Sequence, residues 1–187
     1  MKNIFIKVIL PLLLLVAVVA AGWWFFTPEP APPEDEPLPR EEVALYFLDV
    51  EEYSLTRIFR DLPEADHSTE RIFQIIEQLK QPPEDENIEI LLPEDLQLIA
   101  AYTEDDIVYV DFNEAFIGAA EGSTDEMLFL YSIVNSLLAN LEDKYRLVQF
   151  TIEGEQRSTM GPYGEESGHI GIKYPLGPRW IQDEDSS

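Results

Sequence analysis

The chain has 187 residues, enough for one domain with an anchor and a linker and too few for two comfortable cores. Its formal charge is −25, and with Lys2 and Lys7 set aside, ten basic and 37 acidic residues leave −27 from Thr27 onward; such a surface repels polyphosphate and anionic headgroups, so nucleic acid is not an expected partner. There is no cysteine, which excludes disulfides, thiolate metal sites, a cysteine nucleophile and the acylated cysteine of a bacterial lipoprotein.

Val8 to Phe26 gives 19 consecutive residues without a charge, close to the ~20 that a bilayer core requires. Lys2 and Lys7 flank it on the N-terminal side and the first acid is Glu29, so the positive-inside rule predicts a single-pass anchor with its N-terminus in the cytoplasm. Val19-Ala20-Ala21 would also suit a cleaved signal peptide, but Trp23, Trp24, Phe25 and Phe26 suit the headgroup interface and favour a retained signal anchor over residues 1–26. Residues 27–42 carry Pro28, Pro30, Pro32, Pro33, Pro37 and Pro39 interleaved with Glu29, Glu34, Asp35 and Glu36 and read as a stiff tether, reaching up to roughly 50 Å in a polyproline conformation. The expectation is a domain at 43–180 held outside the inner membrane, followed by a polar tail at 181–187.

Within the domain, Val43 to Leu48 reads as a strand and Leu55 to Phe59 as a second extended piece. Ile72, Ile75, Ile76 and Leu79 share one helical face, with Asp66 or Ser68 as the expected cap and Pro82-Pro83 as the stop. Ile88 to Leu92, Leu96 to Tyr102 and Ile107 to Phe112 are short runs of strand formers, the last two forming an antiparallel hairpin across Glu104-Asp105-Asp106. Ser123 and Glu126 have the spacing of a capping box, and Met127, Leu130, Tyr131, Val134, Leu137, Leu138 and Leu141 then mark a core-facing helical stripe. Leu147 to Ile152 reads as a strand, Glu153-Gly154 as a turn, and Gly161 to Gly168 as a Gly-rich loop leading to His169. Together these predict an α+β domain: a mostly antiparallel sheet with two helices packed on one face.

Chemistry is thinly provided. His67 and His169 are the only imidazoles, and no Gly-x-Ser-x-Gly elbow accompanies them. Glu51-Glu52, Asp105-Asp106 and Glu165-Glu166 lack the spacing of a calcium loop and read as solvated turns; Gly161-Pro162-Tyr163-Gly164 has no following lysine and does not match a phosphate-binding loop. A wall-cleaving glycosidase would need paired carboxylates, for which Asp111 and Glu114 are the least arbitrary candidates, although Asp111 also suits a turn or cap role. No catalytic, cofactor-binding or metal residue is nominated otherwise, and no cofactor is expected.

Val108-Tyr109-Val110-Asp111-Phe112, the capped helix through Asn135-Ser136-Leu137, Val148-Gln149-Phe150-Thr151-Ile152-Glu153-Gly154 and Gly168-His169-Ile170 together resemble the GerMN domain family. Val43-Ala44-Leu45-Tyr46-Phe47, the helix ending near Leu79 and the Leu92-Pro93 step extend the resemblance over about Val43 to Leu176. Members of that family are envelope proteins held by a lipid or a membrane helix, with a fold similar to ring-building motifs. The resemblance therefore implies a single-copy envelope interaction or scaffold module, with an envelope protein or a second copy as partner, and not a catalyst.

Overall fold

The computed structural model describes residues 39–162 and 168–179. The anchor expected over residues 1–26, the tether as far as Leu38, residues 163–167 of the Gly-rich loop and the tail at 181–187 lie outside them.

The order of elements is β1 (Arg40–Asp49), β2 (Ser54–Pro63), α1 (Ser68–Leu79), β3 (Ile88–Glu89), β4 (Leu98–Glu104), β5 (Ile107–Phe112), a 3-10 turn (Glu114–Phe116), α2 (Ser123–Asn140) and β6 (Leu147–Ile152). β1 begins three residues earlier than its apolar run, so Arg40 to Glu42 belong to the strand and not to the tether. Their pairing with Leu62 and its neighbours in β2, in register from Arg40↔Pro63 to Asp49↔Ser54, overrides their charge.

The strands do not form the single mostly antiparallel sheet that their patterns suggested. They form two sheets of three, in the orders β2-β1-β3 and β4-β5-β6. The β4–β5 hairpin is antiparallel as expected, but β5 and β6 run parallel, from Ile107↔Leu147 to Phe112↔Ile152. The cause is α2, which lies between them in sequence and carries the chain back to the starting end, as a parallel crossover must. β3 shrinks to two residues because the chain leaves the ladder after Glu89; Leu92 and Leu96 are buried from a loop that turns at Pro93, where the Leu96 amide meets the Pro93 carbonyl at 3.1 Å.

Ile72, Ile75, Ile76 and Leu79 of α1 are all buried, as their spacing requires. Neither expected cap acts. His67 occupies the N-cap position, Ser68 is already helical, and the Glu70 carboxylate reaches back to the Asp66 amide at 3.1 Å. α2 departs further from expectation: beyond the foreseen stripe, Leu128, Phe129 and Ile133 are buried too, so it is wrapped by protein on nearly all sides. Residues of both sheets and both helices share one continuous core, centred on Phe112, Phe116, Phe129 and Phe150. Full burial of Phe129, Leu130, Ile133, Val134 and Leu137 contributes about 1.5–3 kcal/mol each.

Three polar residues interrupt that apolar helix at a spacing of four: Ser132, Ser136 and Asn140. All three turn toward β1 at a stretch that β3 is too short to cover. The Asn140 side chain accepts from the Ala44 amide at 2.8 Å and donates to the Ala44 carbonyl at 2.6 Å. Ser136 accepts from the Tyr46 amide at 2.9 Å, and Ser132 donates to the Tyr46 carbonyl at 2.6 Å. A helix thus does for Ala44 and Tyr46 what a neighbouring strand would do. Replacing Asn140 with Ala strands two backbone groups and should cost about 1–3 kcal/mol in urea unfolding, several-fold more than replacing the exposed Gln81.

Candidate functional site

Of the two carboxylates nominated for chemistry, Asp111 is engaged in holding the fold. Asp111 Oδ1 accepts from Thr151 Oγ1 at 2.7 Å and from the Gly154 amide at 2.8 Å, tying the end of β5 to the turn after β6. That turn has Glu153 and Gly154 both in the left-handed region, as a tight two-residue hairpin loop demands. The turn-and-cap reading of Asp111 therefore holds. Glu114 is exposed at the start of the 3-10 turn, and no hydrogen bond joins it to Asp111 among the described residues. The Glu51 and Glu52 amides both donate to Asp49 Oδ1, and Asp105-Asp106 form the β4–β5 turn. Among the described residues no three metal-ligating side chains converge.

The two histidines lie in different settings. His67 is exposed at the start of α1. His169 meets Glu126, whose carboxylate is only 3% exposed. Glu126 does not close a capping box, because Gly122 takes the N-cap position and Ser123 falls one residue inside the helix. Its Oε2 instead accepts from the His169 amide at 2.7 Å and the Ile170 amide at 2.8 Å, and its Oε1 lies 3.2 Å from His169 Nδ1. The far end of the Gly-rich loop is thereby pinned to the first turn of α2. Gly168 sits there because a Cβ would come within 2.7 Å of Thr159 Cβ and 2.8 Å of the Gly161 amide nitrogen. Asn135 makes a comparable clamp, pairing with both backbone groups of Arg179 at 3.1 and 3.3 Å.

What the structure leaves unsatisfied is a strand edge. β2 pairs with β1 along ten residues and has no strand on its other side among the described residues. Since the backbone of Ala44 and Tyr46 faces α2, alternation turns that of Val43, Leu45 and Phe47 toward Arg60, Ile58 and Thr56. The amides and carbonyls of Leu55, Arg57 and Phe59 therefore point outward. Phe59 is 51% exposed, with the Arg57 guanidinium carbon 5.1 Å above its ring. Alongside runs a groove of about 760 Å³ between Ile58–Pro63 and the Pro82–Asp85 loop, with Arg40 and Arg60 in its wall. Arg60 is fixed there by bonds to the Gln78 and Gln81 carbonyls, and burial holds its guanidinium pKa below the usual arginine value. A smaller groove of about 420 Å³ lies between the β1–β2 turn and α2, walled by Tyr53, Leu55, Met127, Leu128, Tyr131 and Arg179. The open edge was not legible in the strand patterns, which show where a strand lies but not which neighbours it has.

A family described as sporulation and spore germination, Germane, matches residues 44–158, more than half of the chain. The chain belongs to this family. The tandem GerMN domains of the sporulation protein GerM from Bacillus subtilis superimpose on it with a TM-score of 0.56 at 19% identity, covering 81% of this chain and 50% of that one. The first GerMN domain of the same protein alone gives a TM-score of 0.57 at 19% identity, covering 73% of this chain and 97% of that one. This chain thus spans half the length of the tandem structure and corresponds to a single GerMN domain. At that identity the structures establish the shared fold. No curated protein matches the sequence. Membership places the domain in a sporulation and germination family and not in an enzyme class.

Replacing the buried Glu126 with Ala should release the Gly168–Ile170 end of the loop and cost about 1–3 kcal/mol. Limited proteolysis of the variant should cut within residues 161–170 faster than in the parent chain; equal cutting would show that the carboxylate does not hold the loop.

Proposed function

We propose that this chain is a membrane-anchored, extracytoplasmic protein-interaction or scaffold module of the bacterial cell envelope. The apolar run Val8–Phe26 with Lys2 and Lys7 before it supports a single-pass anchor with the domain outside the cytoplasm, and the proline-rich stretch that follows supports a tether. The membership in the Germane family favours a structural or binding role.

The observation that carries the reading is the open edge of β2. A strand presenting outward backbone groups at Leu55, Arg57 and Phe59, beside an exposed phenylalanine and a groove, is the arrangement by which a sheet accepts an extended segment from another protein. Main-chain bonds supply affinity in that mode, and Phe59 with its arginine supplies side-chain selection. The segment comes from an envelope protein or from a second copy of this chain.

The test is crosslinking in intact cells followed by purification of the full chain. A partner or a dimer should be recovered, and Phe59→Glu, which alters a half-exposed side chain, should reduce that recovery at least several-fold while leaving the unfolding free energy within about 0.5 kcal/mol of the parent. Recovery of the chain alone at every expression level would contradict the interaction role, and protease accessibility of the domain from the cytoplasmic side would contradict the topology.

A further inference from the structure

The outer face of the β4-β5-β6 sheet carries a second feature that the β2 reading does not use. Tyr102 and Tyr109, directly opposite one another on β4 and β5, stack with ring centroids 4.6 Å apart and planes at 3°. Tyr102 is 54% exposed, and Ile99, at the bulge three residues earlier in β4, is 48% exposed. By alternation Glu104 shares the face of Tyr102, and Asp105-Asp106 form the turn beyond it.

None of these three carboxylates forms an ion pair among the described residues, whose ion pairs are Arg71–Glu41, Lys80–Glu77, Lys144–Glu142 and His169–Glu126. Arg146 is exposed nearby and its amide donates to the Asp106 carbonyl at 2.8 Å, yet its side chain is not paired with them. Burial, followed by the negative field of Glu104 and then of Tyr102, Asp105 and Asp106, raises the Tyr109 phenol above its ordinary value, which places those acids within electrostatic reach of the rings.

A cross-strand tyrosine pair also stabilises a hairpin, and acids at a turn also serve solubility. Neither role accounts for leaving Tyr102 more than half exposed beside a run of carboxylates that form no ion pair among the described residues. A planar cation answers both halves of the arrangement: it stacks on the electron-rich ring face and accepts charge pairing at the ring edge. We propose that this face is a docking site for an arginine-bearing segment of a partner protein, with a guanidinium on the Tyr102–Tyr109 platform and Glu104 and Asp106 as its charge partners. The strongly negative domain steers such a segment from a distance, and the tyrosines select arginine over lysine. The inference rests on the interaction-module reading but uses a surface other than β2.

The experiment titrates the full chain with short synthetic peptides alternating threonine with arginine, lysine or glutamate, read by fluorescence anisotropy. Binding should rank arginine over lysine, be absent for glutamate, and weaken as salt is raised. Tyr102→Leu should weaken the arginine peptide by about 3- to 10-fold and abolish its advantage over lysine. Glu104→Gln with Asp106→Asn should weaken binding more than the same charge change at Glu51→Gln with Glu52→Gln, on the β1–β2 turn. If Tyr102→Leu binds as the parent does and both neutralised pairs lose equally, only diffuse charge attracts the peptide and the inference is overturned. If a crosslink that depends on Phe59 survives while no arginine-selective binding is found, the tyrosine face fails alone and the interaction-module reading stands.

Discussion

The fold depends on a helix standing in for a strand. β3 covers β1 only at Leu48 and Asp49, and the adjoining backbone of Ala44 and Tyr46 would otherwise be buried without partners. Ser132, Ser136 and Asn140 satisfy it from three successive turns of α2, at positions where an apolar side chain would pack but could not hydrogen-bond. Burying α2 on nearly every side then becomes possible, since this polar stripe is consumed and its other buried polar side chains, Glu126 and Asn135, are paired with the backbone of residues 169–170 and 179. With α2 fixed, the crossover from β5 to β6 is fixed, and with it the parallel pairing and the Asp111 clamp on the turn beyond.

The same device decides which surfaces remain available. One edge of β1 is closed by α2 and β3 and the other by β2, so the exposed main-chain groups of that sheet move outward to β2. In the second sheet, β6 is closed by the antiparallel bridge between Val148 and Leu176, which leaves β4 outermost. The two outermost strands differ in character: β2 carries Arg57, Arg60 and Phe59, while β4 carries Ile99, Tyr102 and an acidic turn. Under the proposed role, the two chemically distinct outer strands would serve different partners.

Local structure was largely readable from the residues, and neighbour relations were not. α1 announced itself because its apolar residues occupy one face, and the β4–β5 hairpin because its turn is flanked by strand formers. α2 was read as a one-faced helix because periodicity registers contrast, and a helix buried all round has little. Its decisive feature was nevertheless in the sequence, as three small polar residues at a spacing of four within an apolar run. The division into two sheets and the parallel β5–β6 pair arise from contacts distant in sequence, for which short-range patterns carry no signal. At the candidate site, Asp111 was legible as a turn residue, whereas Glu126 was misread because the one-residue shift that puts Gly122 at the N-cap frees its carboxylate for the 168–170 segment. The open β2 edge and the tyrosine platform became visible only once the strand order was known.

Native-state amide hydrogen exchange across β1 and β2 tests the central claim most directly, because it reads each backbone group separately. The Ala44 and Tyr46 amides, held by Asn140 and Ser136, should exchange only on global unfolding, while the Arg57 and Phe59 amides exchange orders of magnitude faster in the isolated chain. Rapid exchange at Ala44 and Tyr46, or equal protection at Arg57 and Phe59, would contradict both the helix that replaces a strand and the open edge it leaves behind.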